Sequence, residues 1–134
     1  MVQLLAGEKG SGKTKILLEK ANSAAAVTDG NIVFLDRDNS HMYELKNSIR
    51  LVNVSDYGVC GADEFAGFVA GIISADHDLA ELYIDRFARI AGPDFEKALI
   101  KINGLTEKYG IKCTASASVS RDTLCDEVKA MIIE

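Results

Sequence analysis

Gly7-Glu8-Lys9-Gly10-Ser11-Gly12-Lys13-Thr14 is the stretch around which the chain is organised. Its spacing, G-x-x-x-x-G-K-[ST], is that of a loop built to surround phosphate groups. Such a loop turns several backbone N–H groups inward, and glycines at 7, 10 and 12 supply the backbone freedom and close approach this requires. Lys13 would place a cation on the β- and γ-phosphates, and the Thr14 hydroxyl is a ligand for Mg²⁺. A helix starting near Gly12 would add its positive end. Glu8, Lys9 and Ser11 complete the expected binding loop.

The flanks agree with this reading. Val2-Gln3-Leu4-Leu5-Ala6 is a short apolar run of buried-strand type, and Ile16-Leu17-Leu18 opens a helix directly after the loop. Strand, glycine loop, helix is the context in which the motif binds phosphate. The competing reading is a glycine-rich turn with no ligand.

The chain has 134 residues, 48% hydrophobic and 26% charged, which suits one folded domain over 1–134 rather than a disordered tail. Its apolar runs are too short to span a membrane, and no basic leader precedes the first strand. A formal charge of −5 argues against a general nucleic-acid surface. Cys60, Cys113 and Cys125 have no C-x-x-C spacing and are odd in number, which points to a reduced, cytoplasmic protein. His41 and His77 belong to no ligand-like pattern and read as loop or helix-end residues.

Apolar runs alternate with helical patterns to the end of the chain, the signature of a three-layer α/β sandwich on a parallel sheet. A helix over Lys13 to Ala26 is broken by Thr28-Asp29-Gly30-Asn31. Ile32-Val33-Phe34-Leu35 is a strand ending in Asp36-Arg37-Asp38-Asn39, and Ser40 is placed to cap a short helix over His41 to Asn47. Ile49 to Val54 is an edge strand. From Asp63 to Ser74 the positions Phe65, Phe68, Val69, Ile72 and Ile73 form a helical stripe suited to core packing. Gly92-Pro93 opens the next helix, and Gly110 stops it. Lys112 to Val119 is the last strand, with Thr114, Ser116 and Ser118 on one face and Cys113, Ala115 and Ala117 on the other. A final helix is expected over Asp122 to Ile133.

Leu82-Tyr83-Ile84-Asp85 is the second landmark. A carboxylate at the carboxyl end of a buried strand, near Thr14, would hold Mg²⁺ directly or through water. Otherwise Asp85 caps a helix or ends a turn.

Together, the Walker A stretch Gly7–Thr14, the Asp-ending strand and the later polar-ended strand resemble P-loop NTPases of the additional-strand division, which includes RecA-like ATPases. The resemblance also fits a minimal, single-domain ATP-binding protein. It implies a five-stranded parallel sheet in which the Lys112 strand lies between the Gly7 strand and the Asp85 strand, with the Ile32 and Ile49 strands beyond. It also implies that Ser118 (or Ser120) faces the γ-phosphate as a sensor. Where many relatives carry Glu beside the metal-holding Asp, this chain has Arg86. RecA-like members place the acid at the neighbouring strand tip, where Asp36 and Asp38 stand. Glu81 is about 13 Å from Asp85 along its strand and cannot serve. Arg86, Arg89 and Arg121 are candidates for an arginine finger or are surface charges.

These readings imply a protein that binds ATP or GTP with Mg²⁺ and hydrolyses the β–γ bond weakly or with a partner's help. Lys13, Asp36 and Asp38 are the candidate catalytic residues, and Thr14 and Asp85 the metal ligands. The alternatives are a small-molecule or nucleoside kinase, or a regulatory module that binds nucleotide without turnover. A protein partner and a homo-oligomer are compatible with either.

Overall fold

In the computed structural model, which describes residues 1–133, the expected apolar runs become five strands of one parallel sheet. They are β1 (Val2–Gly7), β2 (Asn31–Asp36), β3 (Ile49–Asn53), β4 (Leu79–Ile84) and β5 (Lys112–Ser118). Their order across the sheet is β1-β5-β4-β2-β3, as the sequence led us to expect. The long helices are α1 (Lys13–Val27), α2 (Ala62–Ala75) and α4 (Phe95–Tyr109), and α3 (Phe87–Ala91) is a short one.

Alternation along the strands sorts the core into two layers. On one face Leu4, Val33, Leu35, Leu82, Ile84, Cys113 and Ala115 pack against Phe65, Val69, Phe87, Leu99 and Ile102 from α2, α3 and α4. Phe65 and Phe87 meet edge to face with ring centroids 5.3 Å apart. Cys113 is fully buried there, and desolvation pushes its thiol up to about 12. On the other face Leu5, Ile32, Phe34 and Tyr83 lie beneath Leu17, Leu18 and Ala21 of α1. The α2 stripe is core, as its period implied: Phe65, Val69 and Ile73 are buried, with Phe68 and Ile72 packed at the margin.

The expected final helix over Asp122 to Ile133 is replaced by a 3₁₀ turn at Arg121–Thr123 and a single helical turn, α5 (Asp126–Lys129). The cause is the sheet edge. The outer side of β1 carries backbone groups that need partners. The chain therefore leaves the helix and runs beside Leu4, whose N–H donates to the Met131 carbonyl at 2.8 Å. The Ile133 N–H returns to the Leu4 carbonyl at 2.9 Å. Val128 and Met131 are still buried.

The short helix expected over His41 to Asn47 is only a 3₁₀ turn, Met42–Glu44. Ser40 does not cap it. Its N–H and hydroxyl both donate to Asp38 Oδ1, at 2.9 and 2.6 Å. The segment is instead tied to α1, because Asn22 donates to the Glu44 carbonyl and accepts from the Lys46 N–H. Gly92 and Pro93 precede the next helix rather than beginning it, with Gly92 at φ 81° and α4 starting at Phe95. Among the described residues, no helix is long and apolar enough to cross a membrane.

The registers decide what meets at the carboxyl edge. Gly7 pairs with Ser118 across β1 and β5. Ile84 pairs with Ala115 on one side and Leu35 on the other. The next residue of each strand therefore brings Ser116, Asp85 and Asp36 side by side. By alternation all three point to the face covered by α1.

Candidate functional site

Between β1 and α1 the glycine loop runs exposed over residues 8–12. Gly10 (φ 89°) and Gly12 (φ 84°) occupy the left-handed region that a side chain disfavours. Gly7 does not; it closes β1, and a Cβ added there would meet Ser11 Oγ at an ordinary 3.5 Å. Two of the three expected glycines are thus required by backbone angle. Lys13 closes the loop on itself, its Nζ donating to the Glu8 carbonyl at 2.7 Å and to Ser11 Oγ at 3.0 Å. Desolvation holds the Lys13 pKa below its ordinary value, and the charge of Asp85 opposes that shift.

Thr14 stands in the first turn of α1, facing Asp85 at the end of β4. Its hydroxyl lies 3.1 and 3.0 Å from the two carboxylate oxygens of Asp85. Asp85 is wholly buried and also accepts from Ser116 Oγ at 2.6 Å. Ser116 in turn accepts from the Arg86 N–H at 2.8 Å. A buried carboxylate held by two hydroxyls has a fixed orientation, so Asp85 is pre-positioned rather than a loose turn residue.

Ser116 is the β5 hydroxyl that touches Asp85, whereas the expected Ser118 is exposed two residues further on, at the mouth of the same cleft. Strand alternation puts both serines on this face, and the register of β5 against β4 selects Ser116. Ser116 and Ser118 share a face, and the one deeper in the sheet meets the buried acid. Ser120 lies past the strand end, beside the Arg121 turn.

Arg86 is the main feature that the sequence reading undervalued. It is the only non-glycine residue with positive φ among the described residues, at 54°. That turn sends its guanidinium between the two strand tips. Arg86 Nη2 donates to Asp36 Oδ1 at 2.6 Å and lies 3.4 Å from Asp38 Oδ2, and Nε is 3.6 Å from Asp85 Oδ2. It is therefore no surface charge. An arginine directly after one Asp-ending strand, with two aspartates at the neighbouring tip, was the available signal.

Asp36 is fully enclosed, and burial raises its pKa, against the lowering effect of hydrogen bonds from Arg86 and the Arg37 N–H. Asp38 is half exposed, and its two bonds from Ser40 hold its pKa low. The two candidate acids thus differ: Asp36 is committed to Arg86, and Asp38 is the one that solvent reaches. Arg121 donates to the Ala6 carbonyl at 3.0 Å and is part of the β1 framework. Glu81 bonds Tyr83 and Thr28 at the opposite end of the sheet, as its strand position required. His41, expected to stand alone, instead lies near Asp36 and Asp85.

A cleft of about 590 Å³ opens over these residues. Lys9, Gly10, Gly12, Lys13, Thr14 and Lys15 line one side, and Arg86, Arg89, Ser116 and Ser118 the other. Five of the ten lining residues are cationic and none is acidic, so the opening favours an anion while the acids sit behind it. No family model matches the chain, and no curated protein matches it.

Proposed function

We propose that the chain binds a nucleoside triphosphate with Mg²⁺ in this cleft, as a P-loop NTPase of the additional-strand type. The observation that carries the reading is the direct contact between Thr14 and the buried Asp85, behind a lysine-bearing glycine loop in a cationic opening. A hydroxyl and a carboxylate are hard oxygen donors of the kind Mg²⁺ takes. Thr14 and Asp85 would hold the ion beside the β- and γ-phosphates. Lys13 would exchange its contacts with Glu8 and Ser11 for phosphate oxygens. The place of β5 between β1 and β4 supports this division over the kinase alternative, in which the Asp85 strand would adjoin β1.

Hydrolysis would need a carboxylate that orients water for in-line attack on the γ-phosphorus, with the β-oxygen leaving. Asp38 is the accessible acid at the tip. Arg86 draws on both Asp36 and Asp38, which favours slow turnover by the free protein. This contact also gives specific support to a second reading, a nucleotide-dependent regulatory module whose partner would draw Arg86 away. The test is calorimetry with Mg-ATP and Mg-GTP followed by a phosphate-release assay. We expect saturable binding of at least one nucleotide, with turnover on the order of 10⁻² s⁻¹ or slower. Failure of both nucleotides to bind at millimolar concentration would overturn the proposal.

A further inference from the structure

Behind the cleft, three potential metal ligands converge from separate segments. A carboxylate oxygen of Asp36, an imidazole nitrogen of His41 and a carboxylate oxygen of Asp85 all lie within 4.8 Å of one another. Ligand atoms about 2.0–2.2 Å from a shared ion stand up to about 4.4 Å apart, so small side-chain adjustments would close this set. A second observation points to a ligand. Asp36 Oδ2 is buried and has no hydrogen-bond partner, in a side chain with no exposure at all. Arg86 uses the other oxygen, Oδ1, and leaves Oδ2 open.

We propose that Asp36, His41 and Asp85 form a second divalent-cation site, for a first-row transition ion such as Mn²⁺, beside the Mg²⁺ position at Thr14 and sharing Asp85 with it. Charge supports it. Asp36, Asp38 and Asp85 bring three negative charges to the strand tips and Arg86 returns one positive charge, leaving −2 with His41 neutral. A divalent ion restores balance, which matters most for Asp36 and Asp85, since neither touches solvent. The outer contacts are those of a metal site. Arg86 orients Asp36, Ser116 orients Asp85, and Glu44 Oε1 lies 3.4 Å from His41 Nδ1. In the proposed site Nδ1 faces Glu44 and Nε2 takes the ion. The imidazole sets the selectivity: a mixed nitrogen–oxygen set favours Mn²⁺ or a later ion over Mg²⁺.

The proposal is tested on nucleotide-free protein by following free Mn²⁺ with electron paramagnetic resonance. One Mn²⁺ should bind per chain, and a roughly 100-fold excess of Mg²⁺ should fail to displace it. His41→Ala changes a partly exposed residue on a surface turn and should fold normally. It should weaken Mn²⁺ binding by at least about 10-fold and leave Mg-ATP affinity unchanged. Lys13→Ala should do the converse. Because no nucleotide enters the Mn²⁺ titration, failure of the nucleotide reading would leave it intact. Three outcomes overturn the proposal. One is wild-type Mn²⁺ affinity in folded His41→Ala. Another is displacement of Mn²⁺ by Mg²⁺, which would mark an oxygen-only ion at Thr14 and Asp85. The third is no Mn²⁺ binding by the folded wild type, which would leave Arg86 and Lys13 as the counter-charges.

Discussion

Lys13→Ala is expected to weaken Mg-nucleotide binding by about 100-fold, equivalent to about 2.7 kcal/mol, and to leave the fold intact. The size follows from losing charge-assisted contacts to phosphate oxygens, each stronger than a neutral hydrogen bond. Preservation of the fold follows from position. Lys13 hydrogen-bonds to Glu8 and Ser11 of its own loop, while the buried side of α1 is Leu17, Leu18 and Ala21. Calorimetry on wild type and variant, with circular dichroism as the control, reads both. Equal affinities in two folded proteins would mean that the loop does not hold the phosphates.

The loop was legible in the sequence because eight consecutive residues define it and local backbone chemistry fixes its form. The strand order was legible for a different reason: parallel strands linked by helices leave few arrangements once a family pattern is suspected. The C-terminal segment was not legible. Leu124, Val128 and Met131 have helical spacing, and three buried contacts satisfy it whether or not the backbone stays helical. The deciding demand came from Leu4, more than 120 residues earlier, whose backbone needed a partner. Local periodicity carries no signal of that kind.

The same distinction runs through the site. Thr14 and Asp85 were expected together because the resemblance to P-loop NTPases pairs them, and the two side chains do meet. The contacts of Ser116 and Arg86 were not foreseen because they depend on register and on one positive-φ turn. Ser116 and Ser118 look alike in sequence, and only the pairing of Ile84 with Ala115 sets Ser116 beside the acid. Arg86 resembles any arginine at a strand end until its backbone, at φ 54°, turns it toward Asp36.

Asp85→Asn is expected to abolish the Mg²⁺ dependence of nucleotide binding. The gain in affinity conferred by saturating Mg²⁺ on the wild type should fall by about 100-fold or more, since a metal ligand matters more than the outer contacts whose loss costs about 10- to 100-fold. The substitution keeps the shape, and its amide oxygen can still accept from Thr14 and Ser116, so the packing around the strand tips is retained. It removes the negative charge that Mg²⁺ requires. Lys13→Ala should weaken binding with or without Mg²⁺, whereas Asp85→Asn should act only when the ion is present. Titrations of both variants with and without Mg²⁺ separate phosphate contact from metal contact. An Asp85→Asn protein that keeps the full Mg²⁺ effect would assign the metal to other ligands and reduce Asp85 to an anchor for Thr14, Ser116 and Arg86.

The most direct test of nucleotide binding at this cleft is a backbone amide NMR titration of the wild type with Mg-ATP or, should GTP bind more tightly, Mg-GTP. The largest shifts are expected at Gly10, Gly12, Lys13 and Thr14, with secondary shifts at Arg86, Ser116 and Ser118 where the opposite wall closes the cleft. Shifts confined to the groove between α1 and the amino ends of β4 and β5, near Lys20, Glu81 and Lys112, or a spectrum unchanged at saturating nucleotide, would contradict the account.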